Sequence, residues 1–366
     1  LIDTHVHLPQ FQAAALGKGE LLDWLQNYIF PLEARFKNDD FAREQSKLFF
    51  KELARNGTTT AAVYSTSHLS ATDIAFKSAL DSGLRISMGN SVMERNSIPE
   101  LDLAAQENLQ NCETLAAKWH NADNGRLRYV VTPRFAGSCS LDLLKKLGEF
   151  ARTNDLPIQT HLSENLKEIE FILQQFPDFK TYTEIYEKTG LLTDKTILAH
   201  SIYLNQSEEN LLKTHNCAIA HCPTSNRFLS SGIMPLKKYL QKSFKIGLGT
   251  DVAGGFSLSI LHEASEAIES SKFYKLFKNA EEDILSVAES FYLATLGGAQ
   301  AMNLESVTGN FKSGKEADFV ILKTEKLSPP DTIFKSGEEI LARIIYTGSH
   351  DAVLKTFVRG ECIFKK

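Results

Sequence analysis

The chain has 366 residues, 43% of them hydrophobic and 23% charged, which suits one large barrel with an appendage or two ordinary domains. Its 40 basic and 45 acidic side chains leave a net charge of −5, with no basic block to neutralise phosphates, which argues against nucleic acid as a partner. No apolar run approaches the roughly 18 residues of a membrane span, and five cysteines without a CxxC pair argue for a reducing, cytoplasmic setting over a disulfide framework.

The first run, LIDTHVH from Leu1, already reads as a strand in progress and carries no leader pattern, which suggests that a segment ahead of it is absent. A helix is predicted from Asp39 or Asp40, both good N-cap residues, to Asn56, with Gly57 as its stop. β-rich runs follow at TTTAAVY (from Thr58) and LRISMGN (from Leu84), then a helix from Leu101 to Trp119. LRYVVTPR (from Leu127) precedes a helix from Leu141 to Thr153, and PIQTHLSE (from Pro157) and TILAHS (from Thr196) come next. A helix from Ser207 to His215 leads to CAIAHCP (from Cys217) and FKIGLGTD (from Phe244). The near-continuous apolar character of these runs suits strands buried on both faces of a parallel sheet.

Eight strands, each followed by helical sequence, predict an α/β fold, a (β/α)8 TIM-like barrel over residues 1–306. An open doubly wound sheet is the weaker fit, because no GxGxxG follows the first strand. Helical texture runs to about Met302. From Val307 to Lys366, strands alternating with Gly and Lys turns predict a small β appendage, incomplete without an N-terminal partner.

The chemistry-bearing residues share one register. His5 and His7 close the first strand, Arg134 the fourth, His161 the fifth, His200 the sixth, His221 the seventh and Asp251 the eighth. In a parallel barrel those C-terminal ends converge on one mouth, where active sites lie. His-x-His on a strand turns both imidazoles to one face. Alone the pair is weak, since two partly exposed histidines are the commoner explanation. With His161 and Asp251 it becomes three nitrogens and a carboxylate, a set suited to Zn or Fe(II) with a position left for water.

Glu164, three past His161 in a strand-to-helix turn, reads either as an acid favoured by a helix N-terminus or as a proton shuttle beside a metal. His200 could polarise water or contact a leaving group. His221 could be a ligand, a core histidine or, the favoured reading, a donor that orients a neighbouring ligand. Cys222 reads as buried and inert, and His68, His120, His215, His262 and His350 as structural. Gly247, Gly249, Gly254 and Gly255 flank Asp251 and suggest close backbone packing around it. No phosphate loop and no GxSxG nucleophile motif is present.

At these residues the chain resembles the amidohydrolase superfamily. The motifs are DTHVHLPQF, GTTTAAVY, VTPRFAGSCS, THLSEN, LAHSIYLN, AHCPTSN with the following LSSG, and GLGTDVAGGFSLS, spanning positions 3 to 259. HxH and the late Asp are common to the superfamily, whereas TPRF, HCPTSN and TDVAGG with Ser257 and Ser259 narrow the resemblance to its guanine deaminase family. That resemblance implies one zinc per subunit, Fe(II) being the other fit, held by His5, His7, His161 and Asp251. It places His200 near the reacting water and makes Glu164 the proton shuttle, assisted by Asp251. Gln10, Arg134, Phe135, His161 and Glu164 would hold the purine, and guanine would be hydrolysed to xanthine and ammonia. A homodimer is implied as well, as is a β segment ahead of the HxH strand that this chain lacks. The competing readings are a related hydrolase acting on cytosine, a triazine or 8-oxoguanine, and a barrel scaffold without turnover. The second would be expected to have lost a ligand or the shuttle acid, and here all remain.

Overall fold

The computed structural model describes residues 1–17, 19–329 and 331–366. Eight short strands carry the architecture. β1 (Ile2–His7), β2 (Thr60–Tyr64), β3 (Arg85–Gly89) and β4 (Leu127–Tyr129) pair in parallel in that order. β5 (Ile158–Leu162), β6 (Thr196–His200), β7 (Ala218–His221) and β8 (Lys245–Leu248) form a second parallel half.

The halves meet along both edges. On one side the Val131 amide donates to Pro157 and the Gln159 amide donates back to Val131, at 2.9 and 3.0 Å. On the other the Thr4 hydroxyl donates to Leu248 O at 2.9 Å and the Asp251 amide to His5 O at 2.8 Å. The result is the predicted α/β TIM-like barrel, with helices between strands covering its outer face.

The run LRYVVTPR departs from one continuous strand. Val130 still bonds back to Met88, but Val131 pairs with β5, and Thr132–Pro133 then pairs with Ser91–Val92. The chain changes partners at a barrel corner, and Gly89 makes room for it. A Cβ there would lie 1.9 Å from Val130 O.

Helix boundaries follow their caps. Asp39–Arg55 is capped by Asn38, whose side chain accepts from the amides of Asp40 and Phe41, so the cap lies one residue before the predicted aspartates. The helix expected from Leu101 begins at Ala105, because residues 98–101 are tied in a turn by the Leu101 amide to Ile98 O. Leu141–Thr153 is capped by Ser140, and Gln206–Thr214 by Asn205 in a capping box with Glu208. No helix among the described residues is long and apolar enough to cross a membrane.

Beyond the barrel, β9 (Phe319–Leu322), β10 (Val353–Val358) and β11 (Glu361–Lys365) form an antiparallel sheet. It docks through buried Arg85, whose guanidinium meets Asp318 and Glu316, and through the Thr356 hydroxyl, which donates to Ala54 O at 2.7 Å. The sequence reading of strands and turns alone is corrected here. Gly337–Thr347 is a helix capped by Ser336 and packed on the helices Ile260–Phe277 and Val287–Tyr292. Its apolar pairs Ile340–Leu341 and Ile344–Ile345, four apart, carry the helical period that the β-rich flanks obscured.

Candidate metal centre and active site

Alternation along β1 sends His5 and His7 to the same face at the barrel mouth. Their Nε2 atoms lie 3.2 Å apart, and 3.1 and 3.2 Å respectively from Asp251 Oδ1. Donor atoms of His5, His161, His200 and Asp251 all fall within 4.8 Å of one another. The strand ends bend sharply to bring this about. Ser163, His200, Ser201 and Asp251 all take positive φ, an uncommon conformation for residues with a side chain and one that concentrates at functional sites.

Partners behind the cluster set which ring nitrogens face it. His161 Nδ1 sits 2.6 Å from Arg134 O, an acceptor, so Nδ1 carries the proton and Nε2 keeps its lone pair. Asn226 Oδ1, 2.8 Å from His200 Nδ1, does the same for His200. His200 Nε2 is then buried without a hydrogen-bond partner among the described residues, although Glu164 Oε2 lies 3.4 Å away. Burial lowers His5, lowers His7 to about 3 and lowers His161 well below its ordinary value, leaving neutral imidazoles. Burial alone would raise Asp251, but His5, His7 and His200 outweigh it and hold the carboxylate ionised. These are the protonation states in which such side chains bind a cation.

Asp3 ties the two halves of the cluster. Its carboxylate accepts from the amides of His5 and Thr250 and, at 2.6 Å, from the Thr250 hydroxyl, next to Asp251. The flanking glycines complete the fit. A Cβ on Gly247 would strike Thr4, and one on Gly249 would lie 2.7 Å from His5 Cβ.

Glu164 is buried beside this cluster. Burial, and then the charge of Asp251, raises its carboxyl to about 8, and the Ser231 hydroxyl donates to Oε1 at 3.0 Å. Glu168 accepts from the Glu164 and Asn165 amides and fixes the turn that carries Glu164.

The opposite wall comes from the excursion between β1 and the helix Asp39–Arg55. Leu21–Trp24, a π-turn at Leu25–Ile29 and the helix Phe30–Ala34 run end to end. Pro31 lacks an amide hydrogen, and the π-turn just before it accommodates the missing bond. This segment puts Leu21, Leu22, Trp24 and Leu25 over a cleft whose floor includes His7, Gln10, Arg134, Phe135, His161, Glu164 and Asp251. Glu33, on the last of these helices, accepts from Arg134 Nη1 through both oxygens at 2.8 Å and from Gln10 Nε2 at 3.0 Å. Gly137 leaves room for the Phe135 ring, since a Cβ there would be 2.6 Å from the ring.

His221 differs from its expected role. Both of its ring nitrogens are buried without a partner among the described residues, so it makes no hydrogen bond that orients a neighbouring ligand. Burial lowers it to about 3 and raises the Cys222 thiol well above its usual value, in keeping with an inert thiol. His68, His120 and His215 flank helix ends, His262 lies within Ile260–Phe277, and His350 sits in the turn before β10. Ser259 caps Ile260–Phe277, with the Ser259 amide donating to the Ser257 hydroxyl.

The sequence reading missed Asp3, Glu33, Glu168, Asn226 and Ser231. Asp3, Asn226 and Ser231 lie inside the motifs DTHVH, HCPTSN and LSSG, and Glu168 has the capping-box spacing from Asn165, whereas Glu33 carried no signal of its own.

The family model described as "Amidohydrolase family" matches residues 1–363. The chain belongs to the amidohydrolase family. Among relatives of this amidohydrolase, guanine deaminase of Mus musculus is 37% identical over 99% of this chain and 81% of its own length. The Escherichia coli guanine deaminase is 35% identical over 100% of this chain and 82% of its own. Its solved structure superposes with a TM-score of 0.93, covering 100% of this chain and 83% of that one at 34% identity. A guanine deaminase from C. acetobutylicum, solved with guanine bound in the active site, gives a TM-score of 0.94 at 35% identity over 99% and 85% of the two chains. Atrazine chlorohydrolase from Arthrobacter aurescens, at 21% identity and TM-score 0.88, shares the amidohydrolase fold.

Proposed function

We propose that this amidohydrolase converts guanine and water to xanthine and ammonia, with one zinc ion held by His5, His7, His161 and Asp251. The observation that carries the proposal is a neutral-histidine and carboxylate cluster opening into a cleft floored by Gln10, Arg134 and Phe135. The residues fit a cation. Nε2 of His5 and Nε2 of His7 lie 3.1 and 3.2 Å from the same Asp251 oxygen, and the buried Nε2 of His200 has no partner of its own among the described residues. Nitrogen and carboxylate donors suit zinc, with Fe(II) as the other fit.

A cation bound there supplies Lewis acidity that makes water nucleophilic at neutral pH. Arg134 and Gln10 bind the polar edge of the purine, and Phe135 offers an apolar face. Water oxygen adds to C2 as the ionised Asp251 takes up one of its protons. Glu164, neutral in its buried setting, gives its proton to the neighbouring ring nitrogen. Asp251 passes the water proton to the amino group, which leaves as ammonia, and the C2 hydroxyl returns its proton to Glu164 as it becomes the 2-oxo group of xanthine. The leucines and Trp24 above the cleft exclude bulk water from these transfers.

A second ligand set, with His200 in place of His7, is favoured by the mutual 4.8 Å grouping of His5, His161, His200 and Asp251. Zinc content of His7→Ala and His200→Ala separates the two. A homodimer in the cytoplasm belongs to the same proposal; the cytoplasm suits four buried, unpaired thiols, and sedimentation tests the dimer.

The test of the activity is turnover of guanine beside cytosine, adenine and 8-oxoguanine. Guanine is the preferred substrate, and silence on guanine refutes the proposal. Stoichiometric zinc with no turnover of any of the four would favour the scaffold reading.

A further inference from the structure

We infer that Glu33 is a positioning residue that decides which polar edge the cleft presents to its substrate; the inference rests on the guanine deaminase reading above. Glu33 does not line the cleft, and it is fully buried behind Gln10 and Arg134, which do. It therefore acts through them.

Its hold on Arg134 is an ion pair closed to solvent. Both carboxylate oxygens accept from Nη1 at 2.8 Å, and the guanidinium carbon sits 5.0 Å from the centre of the Phe30 ring. Phe30 and Glu33 are three residues apart on one helix, so a single turn holds the guanidinium by charge and by its flat face. Among the described residues every hydrogen bond of the guanidinium runs through Nη1, which leaves the Nε and Nη2 hydrogens as donors for a ligand.

Its hold on Gln10 fixes an amide direction. An ionised carboxylate only accepts, so Glu33 takes the Nε2 hydrogen at 3.0 Å and turns Oε1 toward the Ala253 amide at 3.3 Å. The two partners together exclude the flipped amide. One Nε2 hydrogen and one Oε1 lone pair remain for the substrate.

The surface that results is rich in fixed donors on the Arg134 side, with a mixed donor and acceptor at Gln10. It matches a heterocycle edge bearing a carbonyl oxygen beside ring nitrogens, and it disfavours an edge that presents an amino group to Arg134. Glu33 thus sets the preference for an oxo-purine over its analogue lacking the oxygen.

The experiment compares wild-type and Glu33→Gln zinc enzymes on guanine and on 2-aminopurine, which keeps the amino group at C2 and lacks the 6-oxygen. Glu33→Gln keeps the volume but removes the charge, freeing the Gln10 amide to flip and leaving Arg134 without its counter-ion. KM for guanine is expected to rise roughly 10- to 100-fold, as for a lost charged hydrogen-bond set, with kcat much less affected and zinc content unchanged. The guanine preference should narrow by at least roughly tenfold. Glu33→Asp, which keeps the charge and withdraws it by one methylene, should move the same quantities in the same direction by less, and covers the case in which Glu33→Gln does not fold. A folded variant with wild-type KM and wild-type preference overturns the inference. So does a parallel loss of zinc, kcat and melting temperature with the preference intact, which would mark Glu33 as merely structural. A wild-type enzyme that ignores guanine refutes the activity itself and is recognised before any variant is made.

Discussion

Replacing Gly249 by alanine tests how closely the metal centre depends on backbone contact between β8 and β1. The added Cβ would lie 2.7 Å from His5 Cβ, 3.0 Å from Cys222 Sγ and 3.1 Å from the His5 amide nitrogen. Carbon atoms in contact prefer about 3.5–4.0 Å, so the two strands must part by roughly 1 Å. Cys222 Sγ ends its side chain and could turn aside, but His5 Cβ and the His5 amide nitrogen are fixed to the backbone, so the shift falls on β1 and carries His5 with it. Overpacking of this kind costs about 1–3 kcal/mol. A displacement near 1 Å at reacting groups costs roughly 100-fold in rate. The assay is kcat/KM for guanine beside zinc content and melting temperature. Gly337→Ala serves as control, because a Cβ there meets nothing within 4 Å. The variant should fold, hold zinc more weakly and lose most turnover, while the control stays at wild-type level. A Gly249→Ala enzyme with normal zinc and normal kcat/KM would refute the argument that this contact sets His5.

Glu164→Gln should retain zinc yet lose at least roughly 100-fold in kcat, the low end for a lost general acid–base group; normal turnover would remove Glu164 from the proton path. Asn226→Ala deprives His200 Nδ1 of its 2.8 Å acceptor. The orphaned buried N–H costs about 1–3 kcal/mol, and zinc affinity or kcat should drop roughly 10- to 100-fold; unchanged values in both would show that the tautomer needs no such partner. For the metal-free protein, burial raises Asp3 and Glu168 to about 7 and Glu164 and Glu263 to about 8. The folded state then holds protons that the unfolded chain has lost, so stability falls as pH rises through this window. Buried histidines with lowered values oppose that trend only below about 6.5. Melting temperature should therefore fall from pH 6.5 to 8, and a rise over that interval would contradict the assignment.

The barrel was legible because its strands are apolar on both faces and its histidines recur at one register. Those are local properties of each run. The helix Gly337–Thr347 was not, since its four-residue spacing lies inside a stretch dominated by glycine and lysine turns. The corner at Val130–Val131 was hidden for a different reason: the run is uniformly β-forming, and only the partner strand changes. At the site, His5, His7, His161, His200 and Asp251 do converge as their register implies. Glu33 was out of reach because its partners, Gln10 and Arg134, lie 23 and 101 residues away in the chain. Asn226 could have been suspected only from a motif, since nothing in its spacing points to His200. His221 shared the register yet gained no hydrogen-bond partner among the described residues, so register marks location at the mouth and leaves the role to contacts.

The most direct test of the central claim is a zinc titration of metal-stripped protein, with conversion of guanine to xanthine followed by absorbance and ammonia measured alongside. Activity should rise linearly to one zinc per chain and then level off, with one ammonia released for each xanthine formed. Undiminished turnover in the stripped protein, or a full equivalent of bound zinc without xanthine, would contradict it.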